Sequence, residues 1–147
     1  MLEVQTDKNN IKLSLKNKFE KPIYVLADEE RIQQVILNLV MNSIKYGINR
    51  GITEIGIDFI EQNKILIRIS DNGKGIDKEH LPRLFERFYR VESARNRKQG
   101  GSGLGLSIVK HIIDAHNEKI FVESEPNVGS EFSFSLTLVE SANLVEA

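Results

Sequence analysis

Four glycines stand within six residues at Gly100-Gly101-Ser102-Gly103-Leu104-Gly105, and an apolar pattern of helical spacing begins directly behind them. Such a run predicts a flexible loop whose backbone N–H groups, with the helix N-terminus that follows, suit a phosphate. A plain hinge is the other reading. The helix is marked by Leu104, Ile108, Ile112 and Ala115, with Val109 and Ile113 beside them, and Asn117 is its expected end. Known phosphate fingerprints do not fit. Gly100 and Gly105 have the separation of a P-loop, but Leu106 occupies the place of the lysine. A dinucleotide fingerprint would need Gly or Ala at Leu106 and a strand before the glycines, where this chain has the basic stretch Glu92 to Gly101. The protein-kinase set of the eukaryotic type is absent.

The rest of the chain alternates between strand and helix periods. Ile11, Leu13 and Leu15 alternate with polar residues, and Ile23 to Ala27 follows Pro22, which predicts two short strands joined by a turn. Asp28 is an expected N-cap, with Glu29 and Glu30 behind it and Gly47 placed for a left-handed C-terminal cap, so a helix is expected over 29–46. Ile55, Ile57 and Phe59, a turn at 61–63, and Ile65, Ile67 and Ile69 predict a hairpin. A short helix is expected after Asp77, limited by Pro82 or carrying it in its first turn. Ile120 and Val122, a turn at 126–129, and Phe132, Phe134, Leu136 and Leu138 predict a second hairpin, and 140–147 a frayed tail. Hairpins interleaved with helices predict an α+β fold, a two-layer sandwich of one mixed β-sheet with helices on one face.

At 147 residues one domain is expected, with its core over about 10–139. Twenty basic and twenty-one acidic residues nearly cancel, so no global field draws the chain to nucleic acid or an anionic membrane, and any anion must be held locally. No cysteine is present, which removes disulfides and thiolate metal sites, and His80, His111 and His116 lack zinc spacing. No apolar run approaches the roughly 18 residues of a membrane span, so a soluble chain without direct membrane contact is expected.

On the long helix, Gln34, Lys45, Asn38, Arg31 and Asn42 fall within an arc of roughly 80°, and nearly everything else around it is apolar. This predicts a helix buried on most sides with a thin polar seam. A buried carboxamide left unpaired costs about 1–3 kcal/mol, so Asn38 and Asn42 need partners. They can cap neighbouring loops, or an amide oxygen can ligate Mg²⁺ beside a phosphate chain that Lys45 also reaches. Asp71-Asn72-Gly73-Lys74-Gly75 closes a buried strand; it is either a turn or a place where a carboxylate accepts from an exocyclic amine such as that of adenine.

Taken in order, these segments resemble the catalytic and ATP-binding domain of sensor histidine kinases, of the GHKL superfamily with its Bergerat-type fold, over about residues 10–139. Asn38-Leu39-Val40-Met41-Asn42-Ser43-Ile44-Lys45-Tyr46 resembles the N box, Asp71 to Gly75 the first glycine box, Leu84-Phe85-Glu86-Arg87-Phe88-Tyr89-Arg90 the F box and Gly101-Ser102-Gly103-Leu104-Gly105-Leu106 the second glycine box. The resemblance implies that Asn42 ligates Mg²⁺, Asn38 assists metal and phosphates, Lys45 contacts phosphate and Tyr46 packs on adenine. It implies that Asp71 reads the adenine amine, with Gly73, Gly75, Ile76 and Phe88 around the base. Gly101 to Leu106 would meet the phosphates, Arg90 would stabilise γ-phosphate charge, and 91–101 would be the ATP lid.

By the same resemblance the cofactors are ATP and Mg²⁺, and the catalysed step is γ-phosphate transfer to a histidine. The partner is a dimerising acceptor-helix domain absent from this chain, with a response regulator indirectly downstream. The isolated chain is expected to be monomeric and cytoplasmic, with inner-membrane anchorage of the parent left open. His111 and His116 lie outside the family's acceptor context and read as surface or packing residues. Asn117-Glu118 stands where the family often has two glycines, and Val128-Gly129-Ser130 keeps one glycine of a third box. Hydrolysing and serine-kinase relatives resemble one another in a glutamate base where this chain has Asn38. A non-catalytic module that binds nucleotide or a partner is the remaining alternative.

Overall fold

The computed structural model describes residues 3–5, 11–16, 21–91 and 104–139. Gly101, Ser102 and Gly103, the expected lid beyond Val91, and the expected tail at 140–147 lie outside these residues.

The elements follow one another as β1 (Glu3–Gln5), β2 (Lys12–Leu15), β3 (Val25–Leu26), α1 (Glu29–Lys45), β4 (Ile52–Ile60), β5 (Lys64–Asp71), a 3₁₀ helix at Lys78–Arg83, α2 (Gly105–Ala115), β6 (Ile120–Glu125) and β7 (Gly129–Leu138). The strands form one sheet in the order β1-β2-β4-β5-β7-β3, with β6 also on β7. β2 and β4 are parallel and the other pairs antiparallel, so the sheet is mixed. Period-two alternation in β5 and β7 puts Ile65, Ile67, Ile69, Phe132, Phe134 and Leu136 on one face, all buried. Val35 and Leu39 of α1 and Val109 and Ile113 of α2 pack into the same cluster, so both helices cover that face. Each fully buried side chain of this size contributes about 1.5–3 kcal/mol.

Several local expectations are corrected. The two strands expected at 11–15 and 23–27 are present as β2 and β3 but not as neighbours: β2 lies between β1 and β4, whereas β3 lies at the far side of the sheet on β7. Alternation reports which face a strand buries, not its neighbour. Gly47 is not a left-handed cap, since the described positive-φ glycines are Gly75 and Gly129. A Cβ at Gly47 would instead press on Ile11 Cδ1 and lie 3.1 Å from the Ser43 carbonyl oxygen, so a larger residue there would require Ile11 to shift. α1 ends at Lys45 with Tyr46 as C-cap. Nor is α1 buried on most sides: Leu37 and Met41 are 59% and 57% exposed, in line with exposed Glu30 and Gln33. The polar seam runs along the border of this solvent face. Pro82 lies inside the 3₁₀ helix rather than ending it.

Candidate functional site

Asp71 continues the core-facing set of β5, two residues beyond Ile69 and opposite Thr53 and Ser130. Its carboxylate is therefore directed into the helix layer, near the C-terminal end of α1. Gly73 N–H donates to Asp71 Oδ1 at 2.9 Å. Burial pushes the Asp71 carboxyl above its ordinary range, and hydrogen bonds from Gly73 N–H, Ser130 N–H and the Ser43 hydroxyl pull it back only in part. Ser43 is itself buried and lies 2.5 Å from Thr53, Oγ to Oγ1.

The loop after Asp71 is braced on three sides. Asn72 Oδ1 accepts from Ile52 N–H at 2.7 Å, Asn127 N–H donates to Lys74 carbonyl oxygen at 2.7 Å, and Ile76 N–H donates to Ser124 Oγ at 2.8 Å. A Cβ at Gly73 would come within 2.6 Å of the Tyr46 carbonyl oxygen, so the loop lies backbone to backbone against the end of α1. Gly75 has φ +71, and a Cβ there would collide with the Glu125 carbonyl. Ile76 is half-buried against the core.

One turn apart along α1 stand Asn38, Asn42 and, three residues on, Lys45, all half-buried. Asn38 Nδ2 donates to the carbonyl oxygen of Gly105 at 3.5 Å, which brings the first residue of α2 beside the seam. Lys45 Nζ lies 5.0 Å from the centroid of the Tyr46 ring. Leu104, the N-cap of α2, makes no side-chain capping bond, and the first turn of α2 holds no acidic residue. Among the described residues nothing lies within 4 Å of a Cβ built at Gly105, so their packing does not demand glycine there. Leu104 and Leu106 are half-buried.

The structure thus brings Asn38, Asn42, Lys45, Tyr46, Asp71, Gly73 and Gly105 around the C-terminal half of α1, with Gly75 and Ile76 further along the loop against Glu125 and Ser124. Two other expected residues stand differently. Leu84 and Phe85 of the F-box stretch join the core, Phe85 meeting Phe132 edge-on at 6.3 Å, whereas Phe88 is 67% exposed with φ +64. Arg90 is half-buried at the end of this stretch. Sequence reasoning missed Ser43, Thr53 and Ser124. Thr53 was findable in principle, since hairpin register places it opposite Asp71.

As for a metal, Asn42 offers a neutral amide oxygen, a donor type that suits an Mg²⁺ held mainly by phosphate and water. Three groups able to ligate a metal also gather at Asp77, Glu79 and His80, largely exposed and on the 3₁₀ segment.

A profile of the histidine kinase-, DNA gyrase B- and HSP90-like ATPases matches residues 27–140. The chain is 38% identical over 127 residues to sensor histidine kinase WalK of Bacillus subtilis, covering 86% of this chain and 21% of WalK. It is 44% identical over 111 residues to sensor histidine kinase YkoH of the same organism, covering 76% of this chain and 24% of YkoH. It therefore spans under a quarter of the length of these relatives. Among solved structures, the mycobacterial sensor histidine kinase MprB superposes with a TM-score of 0.73 at 26% identity, covering 87% of this chain and 82% of that one. Full-length ShkA in complex with AMPPNP superposes with a TM-score of 0.75 at 26% identity, covering 91% of this chain and 27% of that one.

Proposed function

We propose that this chain, which belongs to the family of histidine kinase-, DNA gyrase B- and HSP90-like ATPases, binds MgATP in the Bergerat-type fold and transfers the γ-phosphate to a histidine on a separate acceptor-helix domain. The observation that carries the nucleotide reading is Asp71, a desolvated carboxylate held by Gly73 and Ser43 at the mouth of a glycine loop. A carboxylate in that setting is stabilised by one more donor, and an exocyclic amine supplies it. The AMPPNP bound in ShkA supports the ligand class.

Asn42 and Lys45 would hold the metal and the phosphates, Tyr46 the base, and Gly101 to Leu106 the phosphate chain. The residues' own contribution is positioning and charge stabilisation, Arg90 included, as phosphoryl transfer requires. Mg²⁺, when bound, would neutralise charge on the phosphate oxygens. Asn38 cannot serve as a general base, since an amide does not take up a proton in the neutral range. This favours histidine transfer over water activation, with the base supplied by the acceptor domain. The isolated chain is read as a monomer, cytoplasmic, acting within a longer sensor kinase that feeds a response regulator.

The test incubates γ-labelled ATP with the chain and an acceptor-helix fragment of its parent. Acid-labile, base-stable label on the fragment's histidine is expected, with little phosphate release by the chain alone. Robust release without the acceptor, or acid-stable phosphoserine, would move the chain to the hydrolases or serine kinases.

A further inference from the structure

Asp28 N–H donates to Nε2 of His116 at 3.0 Å, and the other ring nitrogen, Nδ1, lies 2.8 Å from the Ile112 carbonyl oxygen. A backbone N–H only donates and a carbonyl only accepts. One form of the ring satisfies both: neutral, with its proton on Nδ1. Asp28 is the N-cap of α1, its own carboxylate accepting from Arg31 N–H at 3.2 Å. In a capping box the N-cap's N–H is met by a Glu or Gln three residues on. Here that residue is Arg31, which has no acceptor, and His116, the C-cap of α2, supplies one from the other helix. The backbone of His116 is held by a Schellman ending: Asn117 has φ +56, its N–H donates to Asp114 carbonyl oxygen at 2.9 Å, and Glu118 N–H donates to Ile113 carbonyl oxygen at 3.1 Å.

α1 from Asp28 to Asn38 and α2 from His116 back to Gly105 each span about 15–17 Å at a helical rise. The helices therefore lie antiparallel with a polar tie at each end, Asp28 to His116 and Asn38 to Gly105. Val35, Val109 and Ile113 fill the cluster between them. Apolar packing is non-directional and tolerates small slides, whereas the 3.0 Å hydrogen bond between His116 and a fixed backbone N–H does not, and the longer Asn38 contact marks the register so set at the other end. The geometry points to His116 as a positioning residue that sets the register of α2 on α1, holding Gly105 and the first N–H groups of α2 level with Asn38 and Asn42. This role rests on the nucleotide reading above.

Three measurements on the chain test it together. Long-range ¹H–¹⁵N correlation on the imidazole is expected to find Nδ1 protonated and Nε2 bare. In His116→Leu, hydrogen exchange is expected to quicken not only at Asp28 but at the opposite end of α2, over 106–108. MgATP binding is expected to weaken roughly threefold to tenfold in His116→Leu and to recover in His116→Gln, whose amide oxygen can accept from Asp28. A proton on Nε2 overturns the proposal. So does a His116→Leu protein with a lowered urea midpoint but faster exchange confined to 28–31 and 113–118 and unchanged MgATP affinity. If His116→Leu does not fold, His116→Gln decides: binding as weak as in a His116→Asn control, which cannot place its oxygen at the Nε2 position, overturns it. No MgATP binding by the unsubstituted chain is a different result, which removes the nucleotide reading itself and this role with it.

Discussion

The side-chain amide of Asn38 and the carbonyl oxygen of Gly105 stand 3.5 Å apart, joining the middle of α1 to the first residue of α2. The bond is at the surface and long, so it contributes little to stability. Its effect is to place a carboxamide beside the start of the helix that follows the glycine run. Asn38→Ala is expected to change the urea midpoint by less than about 1 kcal/mol equivalent and to weaken MgATP roughly tenfold, as loss of a hydrogen bond to a charged group does. Calorimetry and urea unfolding on the same sample check both.

Asp71 presents the opposite balance. Its carboxyl is pushed up by burial against the pull of Gly73, Ser130 and Ser43. A raised acid favours folding while protonated, and that contribution is lost as pH rises through the folded value. Asp71→Asn is thus expected to leave stability at neutral pH unchanged within about 1 kcal/mol, or to raise it, while nucleotide affinity falls. In the unsubstituted chain affinity should climb as pH rises through the raised value, with a proton released on binding. Calorimetry in buffers of different ionisation enthalpy reads that proton, and Asp71→Asn should abolish it.

Glu118 is buried and accepts from Lys64 Nζ at 2.5 Å, Ser135 Oγ at 2.8 Å and Thr137 Oγ1 at 2.9 Å. Burial alone would push its carboxyl up, but these bonds and the Lys64 charge outweigh it and hold it below its ordinary range. A depressed acid contributes stability above its unfolded value, and the contribution is lost as pH falls through the folded one. Glu118→Gln is expected to cost about 1–3 kcal/mol at neutral pH and to flatten the acid limb of the stability curve. Urea midpoints between neutral and acid pH would show it.

Two glycines should part company under the same substitution. Gly75→Ala meets both a left-handed φ and the Glu125 carbonyl, and should cost more than about 2 kcal/mol. Gly105→Ala meets none of the described residues at the start of a helix and should be neutral or stabilise by up to about 1 kcal/mol. Its effect is expected on MgATP binding instead, where close approach of phosphate to backbone is at stake. Thermal melts with and without nucleotide separate the two.

Much of this was legible in the residue pattern because periodicity is local. Ile65, Ile67 and Ile69 announced their shared face, and Asp28 with Glu29 and Glu30 announced a helix start. The two hairpins were legible as pairs, but neighbours beyond them were not: nothing in Ile11, Leu13 and Leu15 says that Ile52 to Ile55 lies alongside, since that pairing is settled by the whole sheet. Gly47 looked like a left-handed cap and is not one; its neighbour in space is Ile11, thirty-six positions away in the chain. The exposure of Leu37 and Met41 was hidden for the same reason: an apolar residue reports its hydrophobicity, not what covers it. Of the proposed site, Asn38, Asn42, Lys45 and Asp71 stood out by spacing as candidates, and the family resemblance supplied the roles proposed for them. Ser43 could not, because its value comes from lying buried between Asp71 and Thr53.

The account stands most directly on calorimetric titration of MgATP into the chain, alongside Asn42→Ala shown by circular dichroism to be folded. It predicts saturable binding that Asn42→Ala weakens by roughly tenfold or more and that depends on Mg²⁺ in the unsubstituted chain. Absence of binding, or binding that Asn42→Ala leaves unchanged, would contradict it.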